Sequence, residues 1–486
     1  MRSLFFFKII RKIYRKLIDL AELFVRKSLE FNRNQLSCYF LLKLHLRILW
    51  IVTMRDREYT KFRYYINFYL EKFPKLILDF RMEACLSGKS SIDIEHYQNL
   101  ILAQQQLRGF SATSARLISN NAFLANTNTH AYIDSYLKSR ILAGLGYKNI
   151  FVCLDKKQRA NVKNMAMLKH WEKYITIIDP QSARKVFRSN LGIHTEDITW
   201  TININGKMTY IEQAKVMVEY EWKKKELGRP LLQCDAKLIY YGKKAMSEIG
   251  LPQNAWFVVF HIRDNGFQNG AWQKQNSYDD YRNADVETYR EGLEAISRMG
   301  GYVVRVGDPR MKPFEGVPNL IDYAHSRDRS TYLDTYLFAM CKFFIGTTSG
   351  PILTAQLFGT PTLATNFAPV GYRMYTSNSI TISKKFYSES LGRTLNLQEA
   401  LNHTLSHETN GNRYPEHQIT LIDNSVEEIA SAIVEMNEIV DGYKVYSNYI
   451  EKLQQRADSL YELRNGHPAL GRLGEKYLLN MENLAK

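Results

Sequence analysis

The rhythm of apolar and polar positions changes near residue 110. Before it, Phe6, Ile10, Ile13, Leu17, Leu20 and Phe24 recur at three- and four-residue spacing with basic residues on the other face, the signature of an amphipathic helix. Residues 1–110 are predicted to be almost wholly helical. After about residue 115 short apolar runs alternate with helical ones. Strands are predicted at Ala122–Ala125, Asn149–Leu154 and Ile175–Ile178, with helices at Thr129–Leu145, closed by Gly146, and at Arg159–Leu168. Residues 190–210 carry no clear period, and helices follow at Ile211–Lys225 and Ala236–Ile249. A second alternating run is clearer. It comprises strands Trp256–Ile262, Tyr302–Val306, Asn319–Asp322, Phe343–Ile345 and Pro361–Ala364, and helices Asp285–Met299, Thr331–Met340, Ile352–Phe358 and Ser425–Val440. The tail after Tyr446 is predicted helical.

Strand–helix alternation implies parallel sheets with helical crossovers. The expected fold is α/β, with two Rossmann-like domains facing a cleft and a helical N-terminal extension. The boundaries read as 1–110 for the basic amphipathic extension, 111–235 for the first Rossmann-like domain, 236–445 for the second and 446–486 for C-terminal helices. A length of 486 residues accommodates this division.

Charge narrows the partners without naming one. With 65 Lys+Arg against 49 Asp+Glu the chain carries +16, which suits phosphates or anionic lipid. No nucleic-acid-binding motif accompanies the charge, so nucleic acid is not expected. The first 30 residues fit an interfacial helix on an anionic bilayer or, equally, a helix docked on the protein's own body. No secretory signal is predicted, because Arg2, Lys8, Arg11, Lys12, Arg15 and Lys16 run through the N-terminal apolar stretch, and no spanning segment, because Lys43, His45 and Arg47 interrupt the apolar run Leu36–Val52. The expected location is the cytoplasm, peripheral on the inner face of the plasma membrane. Cys38, Cys85, Cys153, Cys234 and Cys341 form no CxxC pair and read as free thiols.

Several motifs fail. Glu83–Ser90 ends like a phosphate-binding loop but has Glu83 where glycine is required. No GxGxxG follows a strand, and no Asp-x-Asp occurs to hold a divalent ion against a diphosphate. No metal and no cofactor is expected.

Ligands of parallel sheets bind beyond the C-terminal strand ends, and polar residues gather there. The first strand of the second run ends in His261-Ile262-Arg263-Asp264, the next in Arg305-Val306-Gly307-Asp308, and the fourth in Gly346-Thr347-Thr348-Ser349-Gly350-Pro351. The last turn leads directly into a helix, whose N–H groups and positive dipole end favour an anion. A helix capped by its own hydroxyls is the competing reading. Arg263 and Arg305 match phosphate oxygens, and His325 or Arg329 is expected either near the bound ligand or, equally, in a surface helix cap with Ser330 as N-cap of the next helix. The polar connection Asn265–Asn283 suggests a lid. His130, at the first helix start of the earlier run, and Asp264 are the candidate bases for an acceptor hydroxyl.

Three segments carry a resemblance. HIRDNGF (261–267), YVVRVGDPRM (302–311) with IDYAHSRDRS (321–330), and FFIGTTSGPILTAQLFGTP (343–361) resemble a bacterial glycosyltransferase family associated with surface-polysaccharide synthesis. The likeness spans roughly 240–370, and more weakly 120–155 and LGRLGEKYLLN (470–480). It implies the two-domain GT-B architecture, metal independence and a nucleotide-sugar donor. Ser349-Gly350-Pro351 with Ala355 and Gly359-Thr360-Pro361 is distantly similar to the donor segment of heptosyltransferases. His261-x-Arg263 resembles the arginine motif of fucosyltransferases, which implies that Arg263 contacts the donor diphosphate. The expected activity is therefore metal-independent, inverting transfer of a sugar to a glycan or lipid-linked acceptor. A sugar-nucleotide epimerase and a non-catalytic nucleotide-binding module are the alternatives.

Overall fold

The computed structural model describes residues 116–483 except 119, 125–128, 146–149, 163, 183–193, 197, 199–200, 205–206, 226 and 265–278. The expected helical extension with its candidate interfacial segment 1–30, the Glu83–Ser90 segment and most of the expected lid lie outside the described residues. Two compact units are present: one holds the strands of a first sheet with their flanks, and the other comprises Ala122–Lys148, Lys157–Ile175 and Ile202–Lys486.

The first unit is a four-stranded parallel sheet of β1 (Arg116–Ile118), β2 (Ile150–Cys153), β3 (Thr176–Ile178) and β4 (His194–Glu196), in the order β3-β2-β1-β4. The first strand is thus Arg-Leu-Ile; the apolar run expected as a strand at Ala122–Ala125 instead begins with a short helix, Asn121–Leu124. Four apolar residues satisfy either structure, and periodicity cannot separate them.

In the second unit the helix expected at Thr129–Leu145 spans His130–Leu142, with Gly144 beyond it at φ 71°. The single helix expected at Arg159–Leu168 is two, Lys156–Ala160 and Met165–Trp171. Asn164 starts the second by accepting a hydrogen bond from the Met167 N–H, a local cap that overrides the longer pattern. The unit continues with a hairpin of β5 (Thr201–Ile204) and β6 (Lys207–Tyr210), then helices Ile211–Lys224 and Ala236–Glu248.

Its large sheet contains β7 (Phe257–His261), β8 (Tyr302–Arg305), β9 (Leu320–Ile321), β10 (Phe344–Gly346), β11 (Thr362–Phe367) and β12 (Ser379–Ser383). A small antiparallel sheet of β13 (Lys385–Ser388), β14 (Arg393–Thr394) and β15 (Ile419–Ile422) follows. The tail is not purely helical. Between helices Asn448–Asn465 and Glu475–Asn483, β16 (Arg472–Leu473) joins the large sheet beside β12, completing seven parallel strands in the order β16-β12-β11-β10-β7-β8-β9.

Side chains of β7 alternate between two cores. Val258 and Phe260 pack with Leu293, Ile296, Ile429 and Ile433 on one face. Phe257 and Val259 pack with Met246, Leu337, Ile352 and Ala355 on the other. Helices therefore cover both faces, and β7 is apolar along its length because neither face meets water. This is a doubly wound α/β sheet. The chain steps from β7 to β8 and β9 on one side, then returns to β10 on the other, which places the topological switch point between β7 and β10.

Candidate anion-binding site at the switch point

The two strand ends flanking the switch point are tied together by the residues singled out in the sequence. Gly346 pairs in register with His261, and the Thr347 N–H donates to the His261 carbonyl at 3.3 Å. The Arg263 N–H donates to Thr347 Oγ1 at 3.0 Å, and Ser349 Oγ lies 3.2 Å from His261 Nδ1. Glycine at 346 is what permits this approach: a Cβ there would sit 2.9 Å from the Phe344 ring and 3.1 Å from the His261 carbonyl oxygen.

The hydroxyls do not cap their own helix. Helix Gly350–Leu357 starts at Ser349, whose backbone has the extended N-cap geometry (φ −155°, ψ 164°), yet its side chain makes no capping bond. Thr347 Oγ1 serves Arg263, and Thr348 Oγ1 both donates to the Ala368 carbonyl and accepts from the Ala368 N–H, each at 3.0 Å. The N–H groups of Gly350 and Ile352 thus receive no cap from Ser349, while Pro351 has no N–H to satisfy. Ser349, Gly350 and Pro351 are all half-buried, so the helix start is open to a ligand.

The charged groups are more constrained than the sequence suggests. Arg263, with 11% of its side chain exposed, donates from Nη1 to the Asp279 carbonyl at 3.0 Å and to Asn283 Oδ1. Its guanidinium is therefore oriented by the turn Asp279–Asn283 at the edge of the site. Arg305 is only 1% exposed. Its Nη1 donates to Asp322 Oδ2 at 2.9 Å, and the same oxygen accepts from the Phe314 N–H and faces His325 Nδ1 at 3.0 Å. His325 Nε2 faces the Met311 carbonyl at 2.9 Å. Both ring nitrogens thus face oxygen atoms, which fix the orientation of the ring. Arg305 and His325 both belong to this group around Asp322; Arg305 is buried in it, while His325 lies at the surface. Asp308 is paired with Arg310 at the surface, Nε to Oδ1 2.7 Å, and that hydrogen bond holds its carboxyl below the usual range. Arg329 donates to the Gly307 carbonyl at 2.8 Å and braces the β8 end.

His261 is held neutral. Burial first, then the charges of Arg305 and Arg263, lower it to about 4. Its ring therefore acts as a hydrogen-bonding partner of Ser349 near pH 7.

His130 lies elsewhere. Its ring is 2% exposed, packs edge-on against Phe123 at 5.8 Å, and accepts at Nδ1 from the Trp171 indole N–H at 3.2 Å. Indole only donates, so the imidazole proton sits on Nε2 and the basic lone pair is occupied. Burial lowers the ring to about 4. This is a core histidine, and of the two candidate bases Asp264, half-buried at the end of the β7 connection, is the one placed at the switch point. An unfolded histidine takes up a proton near pH 6.5 that folded His130 refuses until about 4. His130 thus costs no stability above pH 6.5 and costs progressively more as pH falls to 4, in total about 3 kcal/mol. A His130→Gln variant should show a shallower loss of urea midpoint than wild type across that window; parallel curves would contradict the buried ring.

Sequence reading missed Lys384 and the asparagines around it. Lys384, beyond the end of β12, donates to the Asn283 carbonyl at 2.6 Å and pairs with Asp423 at 2.7 Å. Asn366 and Asn424 exchange reciprocal N–H···Oδ1 bonds of 2.6 Å, and Asn366 Nδ2 donates to the Tyr289 hydroxyl at 2.9 Å. Lys384 fell in a stretch with no predicted strand, so nothing marked it as a strand end.

The fold is that of a doubly wound α/β protein, and its uncapped helix start at Ser349–Gly350 lies at the switch point, where such sheets bind their ligands. No protein-family model matches the chain, and no curated protein sequence does. Solved structures similar to it include a family 9 glycosyl transferase from Veillonella parvula, at 13% identity and TM-score 0.36, covering 56% of this chain and 86% of that one. Another is the E. coli ADP-heptose LPS heptosyltransferase II, at 12% identity and TM-score 0.36, covering 67% and 99%. A third is the iron-containing dodecameric glycosyltransferase TibC of enterotoxigenic E. coli, at 10% identity and TM-score 0.34, covering 67% and 77%. All three are glycosyltransferases by name. Likeness at this level leaves the functional assignment to the site itself. Among the described residues no three His, Cys, Asp or Glu side chains are grouped to hold a metal, and no helix is long and apolar enough to cross a membrane.

Proposed function

We propose that this protein transfers a sugar from a nucleotide-sugar donor to a glycan or lipid-linked acceptor in surface-polysaccharide synthesis, without a metal ion and with inversion. The observation that carries the reading is the helix start at Ser349–Gly350, left without a side-chain cap at the switch point. Open N–H groups at the positive end of a helix suit a diphosphate. In the reaction the acceptor oxygen attacks the anomeric carbon, the bond from that carbon to the diphosphate oxygen breaks, and the electron pair leaves on the diphosphate. The Gly350 and Ile352 N–H groups, with Arg263 at the rim, stabilise that charge in the role a divalent cation plays elsewhere. The acceptor proton passes to Asp264, which lies at the same strand end. Residues 1–30 would hold the protein at the inner face of the plasma membrane, near a lipid-linked acceptor.

The test is a transfer assay with a panel of nucleotide sugars and p-nitrophenyl glycosides as acceptors, with and without chelator. One donor should support turnover undiminished by chelator, and Arg263→Ala should raise its KM about tenfold or more. Activity abolished by chelator and restored by a divalent ion would overturn the metal-free reading. Turnover of donor alone would favour an epimerase.

A further inference from the structure

Lys384 stands one residue beyond β12 with its side chain only 6% exposed, and a buried ammonium is costly unless its hydrogen bonds compensate. Nζ donates to the Asn283 carbonyl at 2.6 Å, across 101 residues of chain, and pairs with Asp423 at 2.7 Å. The backbone beneath it is fixed. The Lys384 N–H donates to the Phe367 carbonyl at 2.9 Å, and Asn424 Nδ2 donates to the Ser383 carbonyl at 2.9 Å. Asn424 is in turn locked to Asn366 by their reciprocal 2.6 Å bonds. Lys384 therefore ties the firm end of the large sheet to the turn Asp279–Asn283.

That turn is what orients Arg263. Asn283 Oδ1 and the Asp279 carbonyl both accept from Arg263 Nη1, and the Ala284 N–H donates to the Arg263 carbonyl at 3.1 Å. Inside the turn the Asn283 N–H donates to the Asp280 carbonyl at 2.9 Å, and Asn283 Nδ2 to Asp280 Oδ1 at 3.3 Å. The Asp279 carboxylate is engaged elsewhere: it pairs with Arg282 at 2.5 Å and stands 3.9 Å from Arg263 Nη2. Arg263 Nε and Nη2 donate to none of the described residues. They form the side edge of the guanidinium, whose two N–H groups match a pair of phosphate oxygens.

We infer that Lys384 is a positioning residue for the anion site: by holding Asn283 it keeps Arg263 turned so that its Nε–Nη2 edge is left for the diphosphate. The inference rests on the reading of Arg263 as a diphosphate contact and adds what sets its orientation. Calorimetric titration of the full chain with ADP, GDP, UDP and dTDP selects the tightest binder as the probe. Arg263→Ala should weaken its binding about tenfold or more, the loss of a charge-assisted contact. Lys384→Met and Asn283→Ala should each weaken it by a factor of about ten. Neither should weaken it further in the Arg263→Ala background, because the group they position is gone. A merely structural lysine would lower the melting temperature and leave the affinity of Lys384→Met unchanged. A lysine acting through its charge alone would multiply the Arg263→Ala loss. Either result overturns the inference and leaves the diphosphate reading standing. Asn283 is half-buried in a surface turn, so its variant tests the same link if Lys384→Met does not fold. Wild type that binds none of the four nucleotides, or Arg263→Ala that binds as wild type, would overturn the reading of Arg263 and the inference together.

Discussion

Replacing Ser349 with aspartate is expected to stabilise the protein while destroying its affinity for nucleotide. Ser349 already has N-cap backbone geometry but spends its hydroxyl on His261, so the following N–H groups lack a cap from it. An aspartate at that position caps them and complements the helix dipole, a gain of roughly 1 kcal/mol. The same carboxylate occupies the place reserved for phosphate oxygens and repels them. Two like unit charges about 4 Å apart near a protein surface repel each other by about 4 kcal/mol, so nucleoside diphosphate binding should weaken by about a hundredfold or more. Calorimetric titration beside thermal melting reads both effects. A variant that melts higher and still binds nucleotide as wild type would place the diphosphate elsewhere. A merely structural turn predicts the first change without the second.

The other large effect is expected behind the site. Arg305→Ala leaves the half-buried Asp322 carboxylate with only the Phe314 N–H and the His325 ring as partners. Breaking a buried ion pair from one side costs about 3–5 kcal/mol, because the remaining charge has lost its partner. The Arg305 side chain also lies against the Phe314 ring at 5.8 Å, and that packing disappears with it. Removing both partners with apolar replacements, Arg305→Met with Asp322→Leu, should recover much of the loss. Urea unfolding at neutral pH distinguishes the cases. A single variant costing under about 1 kcal/mol would mean that the pair is solvated and that Arg305 can reach a ligand directly.

These two residues mark the limit of what was legible along the chain. Most strands and helices of the second run emerged from apolar runs and glycine stops within a residue or two, because β7 and β10 are buried on both faces and read as continuous apolar stretches. But β11 runs three residues past the expected Ala364, and the helix expected from Asp285 opens with a 3-10 turn, Val286–Tyr289, before Arg290–Arg298. The turn Gly346–Gly350 was equally visible, since glycine for close approach and a helix start are local requirements. Less was visible where a weak segment depends on distant support. The two-residue strand β16 exists because β12 lies beside it, and Asn164 divides a helix that apolar spacing alone would run together.

The sequence by itself determined the doubly wound character of the second run, the hydroxyl-rich turn at its switch point and the chemistry available there. Only the tertiary structure decided what each charged or polar side chain does. Arg263 is oriented by Asp279 and Asn283, Arg305 is closed over Asp322, and His130 has its lone pair taken by Trp171. Local patterns follow from neighbours three or four residues away, which the chain displays in order. The partner of a buried charge lies 17 residues along for Arg305, and that of His130 lies 41 along. Those distances close only when strands take their places in the sheet, so the order of the strands settles which groups remain open to a ligand.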